Sequence, residues 1–114
     1  MQYLMLLSDE EAAQLSPDDP GFEALMAQYA AFDEMVKRRG VYRASGKLQP
    51  CASATTIRSR KGDTTYTDGP FAETKEQIGG FYLLECEDLE QALELGAMIP
   101  TAQTGSVEVR PLFG

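Results

Sequence analysis

The chain has 114 residues, 43% of them hydrophobic and 25% charged, with a formal net charge of −8. That length and composition fit one globular domain and exclude a disordered chain. A surface of this sign repels a phosphate backbone, which argues against a nucleic-acid partner. There is no histidine, so a Ser-His-Asp triad and any histidine-ligated metal site are excluded.

Tyr3-Leu4-Met5-Leu6-Leu7 is a short, continuously apolar run, the pattern of a strand buried on both faces. The polar stretch from Ser8 to Leu15 reads as a turn or a short helical piece. Ser16-Pro17-Asp18-Asp19-Pro20-Gly21 then supplies helix-start signals, with Ser16 or Asp19 as the N-cap and a proline at the first helical position. Phe22, Leu25, Met26, Tyr29, Phe32 and Val36 follow at helical spacing, and Gly40 is placed to end that helix.

A strand is expected over Val41 to Leu48, with Gly46 as a bulge and Pro50 as its interruption. Thr55 to Arg60 and Thr64 to Thr67 are rich in β-branched residues and are joined by Lys61-Gly62-Asp63, which predicts a hairpin. Asp68-Gly69-Pro70 turns the chain again, with Phe71 placed as a plug under the turn. Gly80 to Glu87 reads as a further strand, with Gly79-Gly80 as a bulge or a place where a ligand approaches the backbone. Asp88 and Gln91 resemble a capping box for a second helix running to about Met98, with Leu89, Ala92, Leu93, Gly96 and Ala97 as its apolar face. Pro100 ends it, and Ser106 to Arg110 alternates as a final strand.

The order is β-α-β-(β-β)-β-α-β, an α+β chain of ferredoxin-like type with an extra hairpin. Both helices then cover one face of the sheet. The first strand and the Phe81-Tyr82-Leu83-Leu84 strand are apolar on both sides, so the second face needs cover as well. A homodimer with two sheets packed face to face, a dimeric α/β barrel, meets that need. Val107 and Val109 should face the helices, and Glu108 and Arg110 the space between sheets. That charged pair is either a ligand anchor or an intra-sheet salt bridge.

Cys51 and Cys86 lie far apart and form neither a metal spacing nor a redox pair. With no signal-peptide pattern and no long apolar run, the expectation is a cytoplasmic protein with reduced thiols and no membrane partner. Cys86 reads as a buried small hydrophobe. No ordered ligand spacing supports a metal, and no cofactor is implied.

Thr67-Asp68-Gly69-Pro70-Phe71-Ala72-Glu73-Thr74-Lys75-Glu76-Gln77-Ile78-Gly79-Gly80-Phe81-Tyr82 resembles the signature of the DGPF group within the YCII-related family. Met1 to Leu7, Gly46 to Pro50 and Gly105 to Pro111 are similar to that family's first strand, middle segment and ending. The resemblance implies a ferredoxin-like unit that forms a dimeric α/β barrel. It also implies a histidine-aspartate pair in the wider family, for which this chain has no histidine. A further implication is a stress-response setting beside sigma factors of the extracytoplasmic-function type.

Asp68 has two readings: a turn former bonded to nearby amides, or a functional carboxylate at the mouth of the barrel, acting as a general base or as a ligand acceptor. Glu73 is the second candidate base. Lys75 is a candidate anchor for a ligand anion, and Glu73, Lys75 and Glu76 otherwise form a solvated loop. Tyr42 and Tyr66 are candidate hydrogen-bond donors into a cleft, or packing residues. Three functions follow: a homodimer binding a small molecule through Lys75, Glu76, Glu108, Arg110, Tyr42 and Tyr66; a cofactor-free enzyme using Asp68 or Glu73 for an elimination or isomerisation; or a regulatory interaction module.

Overall fold

The computed structural model describes residues 1–114. Six strands and three helices follow in the order β1 Gln2–Asp9, α1 Phe22–Arg38, β2 Tyr42–Lys47, β3 Thr55–Arg60, β4 Asp63–Asp68, β5 Gln77–Glu85, α2 Leu89–Met98, α3 Thr101–Thr104 and β6 Ser106–Pro111. Single 3-10 turns at Glu11–Ala13 and Cys51–Ser53 follow β1 and β2. The main sheet is antiparallel with order β2-β5-β1-β6, and β3 and β4 pair only with each other. This is the α+β, ferredoxin-like arrangement with an inserted hairpin. No helix is long and apolar enough to cross a membrane.

The core lies between the sheet and the helices. Tyr3, Met5 and Leu7 of β1 and Tyr82 and Leu84 of β5 meet Phe32, Met35 and Val36 of α1 and Ala92 and Leu95 of α2, with Ile99 just beyond α2. Phe32 packs edge-on against Tyr82 with ring centroids 5.0 Å apart. The Tyr82 hydroxyl donates to Asp33, and burial followed by that hydrogen bond pushes the phenol far above its ordinary pKa. Val107 and Val109 do face the helices: they lie against Gly96, where an added Cβ would come within 3.3 Å of Val109.

The helix signals were read with mixed success. Gly40 takes φ +73° just past α1, where Val41 N–H reaches Val36 O at 3.1 Å and Gly40 N–H reaches Lys37 O, a Schellman ending. At the other end neither Ser16 nor Asp19 is the N-cap. Gly21 occupies that place at φ +86° without a side-chain cap, while the Asp19 carboxylate accepts from Ser16 N–H and spends itself on the preceding turn. Asp88 caps α2 as expected, accepting from Gln91 N–H at 2.9 Å. The buried face of α2 is rotated from the expected one, to Ala92, Leu95 and Gly96, and leaves Leu89 and Leu93 about half exposed. The bulge in β2 falls at Arg43 rather than Gly46. Gly46 instead lies under the Phe81 ring, where a Cβ would approach Cε1 to 2.9 Å. Phe71 is not a core plug: it is 78% exposed at the base of the hairpin.

The opposite sheet face carries Leu4 and Leu6 of β1 beside Leu83 and Phe81 of β5, in register Leu4↔Leu83 and Leu6↔Phe81. Their half-buried state in the single chain contrasts with the fully covered Met5 and Leu84 one residue away. The chain is thin and wide, 47 × 42 × 19 Å, with a radius of gyration of 16.0 Å, against ~13 Å for a compact chain of this length. Its accessible surface is 7968 Å², about 1,800 Å² above the value for a compact monomer of 12.5 kDa.

Candidate functional site

Three connections meet at one end of the sheet and border an open cleft of about 460 Å³. The first is the turn after β1, which supplies Glu10 and Glu11. The second is the turn after β2, which opens at Pro50 and supplies Cys51. The third is the segment between β4 and β5, which supplies Glu73, Thr74 and Lys75. Gly69, at φ +100°, starts this last segment in a conformation that side-chain-bearing residues rarely adopt, and its N–H donates to Ala54 O at 2.8 Å. Thr74 Oγ1 then donates to Glu76 O at 2.6 Å and Gln77 Nε2 to Thr74 O at 2.8 Å, which shapes the loop before β5 begins.

Across the cleft, Cys51 N–H donates to Glu11 Oε1 at 2.8 Å and bridges segments forty residues apart in sequence. The Cys51 thiol is on the same residue and feels the same carboxylate. The thiol, then the backbone hydrogen bond, hold the Glu11 carboxyl below its usual range, while the carboxylate pushes the thiol up. Cys51 therefore stays protonated near neutral pH and behaves as a weak acid in contact with a base. Lys75 Nζ lies 3.4 Å from Glu10 Oε1, and Lys75 is 83% exposed. Such a pair is held weakly and opens readily to a competing group. Glu73 lines the cleft with no hydrogen bond or ion pair of its own. Three carboxylates thus face one ammonium.

Of the residues singled out from the sequence, Glu73 and Lys75 stand together in this cleft. Asp68 closes β4 opposite Thr55, with its side chain exposed and outside the cleft lining. Glu76 Oε1 accepts from Ser106 Oγ at 2.9 Å. Glu108 and Arg110 pair with each other on β6, opposite Leu6 and Leu4. Tyr42 bonds Ser45 at 2.8 Å with Lys37 over its ring, and Tyr66 stands 70% exposed on the hairpin. Glu10, Glu11 and Cys51 were not singled out. Their grouping depends on two turns meeting in space, and nothing in their spacing along the chain signals it.

No three acidic or thiol side chains converge closely enough to hold a metal ion. The YCII-related domain matches residues 1–114. The chain belongs to the YCII-related family. An uncharacterised protein of Rhizobium meliloti (strain 1021) is 37% identical over 114 residues, covering 98% of this chain and 92% of that protein. A solved structure of 5-chloro-2-hydroxyhydroquinone dehydrochlorinase (TftG) from Burkholderia phenoliruptrix AC1100, in complex with 2,5-dihydroxybenzoquinone, aligns over 99% of this chain and 94% of its own. The TM-score is 0.50 and the identity 14%, a likeness of fold. The YCII-related membership and the ferredoxin-like fold agree with the resemblance carried by the Thr67-to-Tyr82 run.

Proposed function

We propose that this YCII-related chain acts as a homodimer that binds a small, uncharged, hydroxyl-rich organic molecule in the cleft between Glu11, Cys51 and Lys75. The observation that carries the ligand reading is the lining itself. Glu10, Glu11 and Glu73 are acceptors on a concave surface of about 460 Å³, within the ~300–1,000 Å³ typical of small-molecule sites. Carboxylates accept from hydroxyl groups and repel an anion, and Lys75 already has Glu10 as partner. The dimer reading is supported by the half-covered Leu4, Leu6, Phe81 and Leu83 face and by the excess surface of the single chain. In that dimer the apolar faces of two sheets meet and the helices lie outside. Two free thiols, Cys51 and Cys86, agree with a reducing, cytoplasmic setting.

A second reading makes the same cleft catalytic. The favouring observation is an acid and a base side by side, the Cys51 thiol beside the Glu11 carboxylate, with unpartnered Glu73 opposite. Glu73 would take a hydroxyl proton from the bound substrate, Lys75 would stabilise the resulting oxyanion, and collapse of that oxyanion to a carbonyl would push out the leaving group as its anion. The neighbour of like fold is a dehydrochlorinase of a hydroxyhydroquinone, which belongs to that reaction class.

Titration of the protein with hydroquinone and with 1,2,4-trihydroxybenzene, followed by backbone amide shifts, tests both readings. Shifts confined to the segments around residues 10–12, 51–52 and 69–77 support binding there, and their loss in Glu73→Gln assigns that carboxylate to the ligand. Shifts confined elsewhere, or none at millimolar ligand, contradict the cleft. Chloride release from a chlorinated hydroxyhydroquinone separates the enzyme from the binder.

A further inference from the structure

The β3–β4 hairpin has no evident work in the single chain. Its strands pair with each other alone, and it packs substantially on neither the helices nor the main sheet. The Thr56 Oγ1–Gly69 O bond at 2.8 Å and the Gly69–Ala54 backbone bond close its own base, and beyond them Arg58 Nη2 reaches Phe71 O at 3.5 Å. A lone two-stranded hairpin is marginally stable in water. Yet this one is well specified. Lys61 and Gly62 take φ +52° and +85°, the left-handed pair of a tight two-residue turn, and Ser59 and Thr64 hydroxyls bond across the strands.

The register divides it into two unlike faces. Ile57 pairs with Tyr66, flanked by Thr55↔Asp68 and Ser59↔Thr64. The other face carries Arg58↔Thr65 and Arg60↔Asp63. Ile57 is 61% exposed and Tyr66 70% exposed, an apolar pair placed in water by a rigid arm. We infer that the hairpin is a dimerisation arm that packs its Ile57–Tyr66 face against a second copy of this chain.

Two observations select a second copy over another partner. The surface excess of about 1,800 Å² per chain doubles in a pair to more than a standard interface of ~1,600 Å². The chain carries −8 overall, yet the arm sets Arg58, Arg60 and Lys61 against Asp63 and Asp68 and is itself slightly basic. An acidic second copy attracts such an arm, whereas the acidic body repels nucleic acid or an anionic membrane. This inference rests on the dimer reading but adds to it, because two sheets can pack face to face with both arms left in solvent.

The chain has no tryptophan, so Tyr66→Trp places a single reporter on the arm. Sedimentation and emission are followed together over a dilution series. The expected result is blue-shifted emission in the dimer that turns red as the dimer dissociates. A dimer whose emission is red throughout overturns the arm and leaves the sheet interface standing. A monomer at every concentration overturns both. Blue emission that ignores dissociation places the arm on its own chain and overturns the inference too. Hydrogen exchange on the unsubstituted protein is a second readout that needs no variant: amides of residues 55–68 are expected to be protected in the dimer and to lose that protection on dilution, and rapid exchange in a proven dimer refutes the arm. Ile57→Glu is expected to raise the dimer dissociation constant ~100-fold.

Discussion

Replacing Leu6 with glutamate puts the uncovered sheet face to the test. Leu6 sits between Phe81 and Glu108 in register, on the face away from the helices, and is half-buried in the single chain. In a monomer the new carboxylate sits at the open face opposite Glu108, so a modest loss of folding stability is expected and the chain should still fold. In a face-to-face dimer the same position is enclosed. The dimer can cover only the third or less of Leu6 that the single chain leaves open, ~0.5 kcal/mol a copy, so most of the loss is the cost of enclosing the new carboxylate, ~1–3 kcal/mol a copy, and twofold symmetry counts both terms twice, ~4 kcal/mol in all. That is ~1,000-fold in the dissociation constant. Sedimentation velocity over a concentration series measures the change, and far-UV circular dichroism reports whether the monomer stays folded. Leu93→Glu is the control, since Leu93 is 51% exposed on the outer side of α2. A folded Leu6→Glu protein that associates as strongly as the unsubstituted chain refutes the reasoning.

Three further substitutions, and two pH dependences beside them, follow from the packing. Glu11→Gln removes the charge that holds the Cys51 proton, so the thiol pKa falls and alkylation by iodoacetamide at mildly alkaline pH becomes faster; an unchanged rate contradicts the Glu11–Cys51 contact. The same contact holds the Glu11 pKa down, so its contribution to stability is present above the ordinary carboxylate range and is lost as pH falls through the lowered value. Gly105→Ala drives a Cβ into the Ser8 carbonyl and the Asp9 backbone, and chemical denaturation should show a loss of ~1–3 kcal/mol. Tyr82→Phe leaves the Asp33 carboxylate without its phenol donor, at ~1–3 kcal/mol. The raised Tyr82 pKa means that its stabilisation is intact below the ordinary phenol range and is lost as pH rises towards the folded value, so the native protein should show one tyrosine that resists alkaline titration.

What could be read in advance was whatever depends on local chemistry. Gly40, the Asp88 cap, the hairpin joined at Lys61-Gly62-Asp63 and the alternation of β6 are set by local pattern, and each stands where the pattern put it, save that Asp63 already belongs to β4. The readings that failed depended on competition between neighbours or on distant packing. Asp19 had two backbone uses and took the turn over the helix. Phe71 is large and apolar, yet the hairpin base offers it nothing to pack on within one chain. The α2 face was rotated because Leu95 and Ile99 complete the core that Leu89 and Leu93 were expected to meet. At the site, Glu73 and Lys75 were legible from the charged loop, whereas Glu10, Glu11 and Cys51 join them only because the turns after β1 and β2 converge.

The measurement that bears most directly on the account is the mass of the unsubstituted protein in solution. In the proposed dimer the face bearing Leu4, Leu6, Phe81 and Leu83 is half of the interface. Sedimentation equilibrium at micromolar concentration is predicted to give twice the 12.5 kDa of one chain. A single species of 12.5 kDa across the accessible concentration range contradicts it.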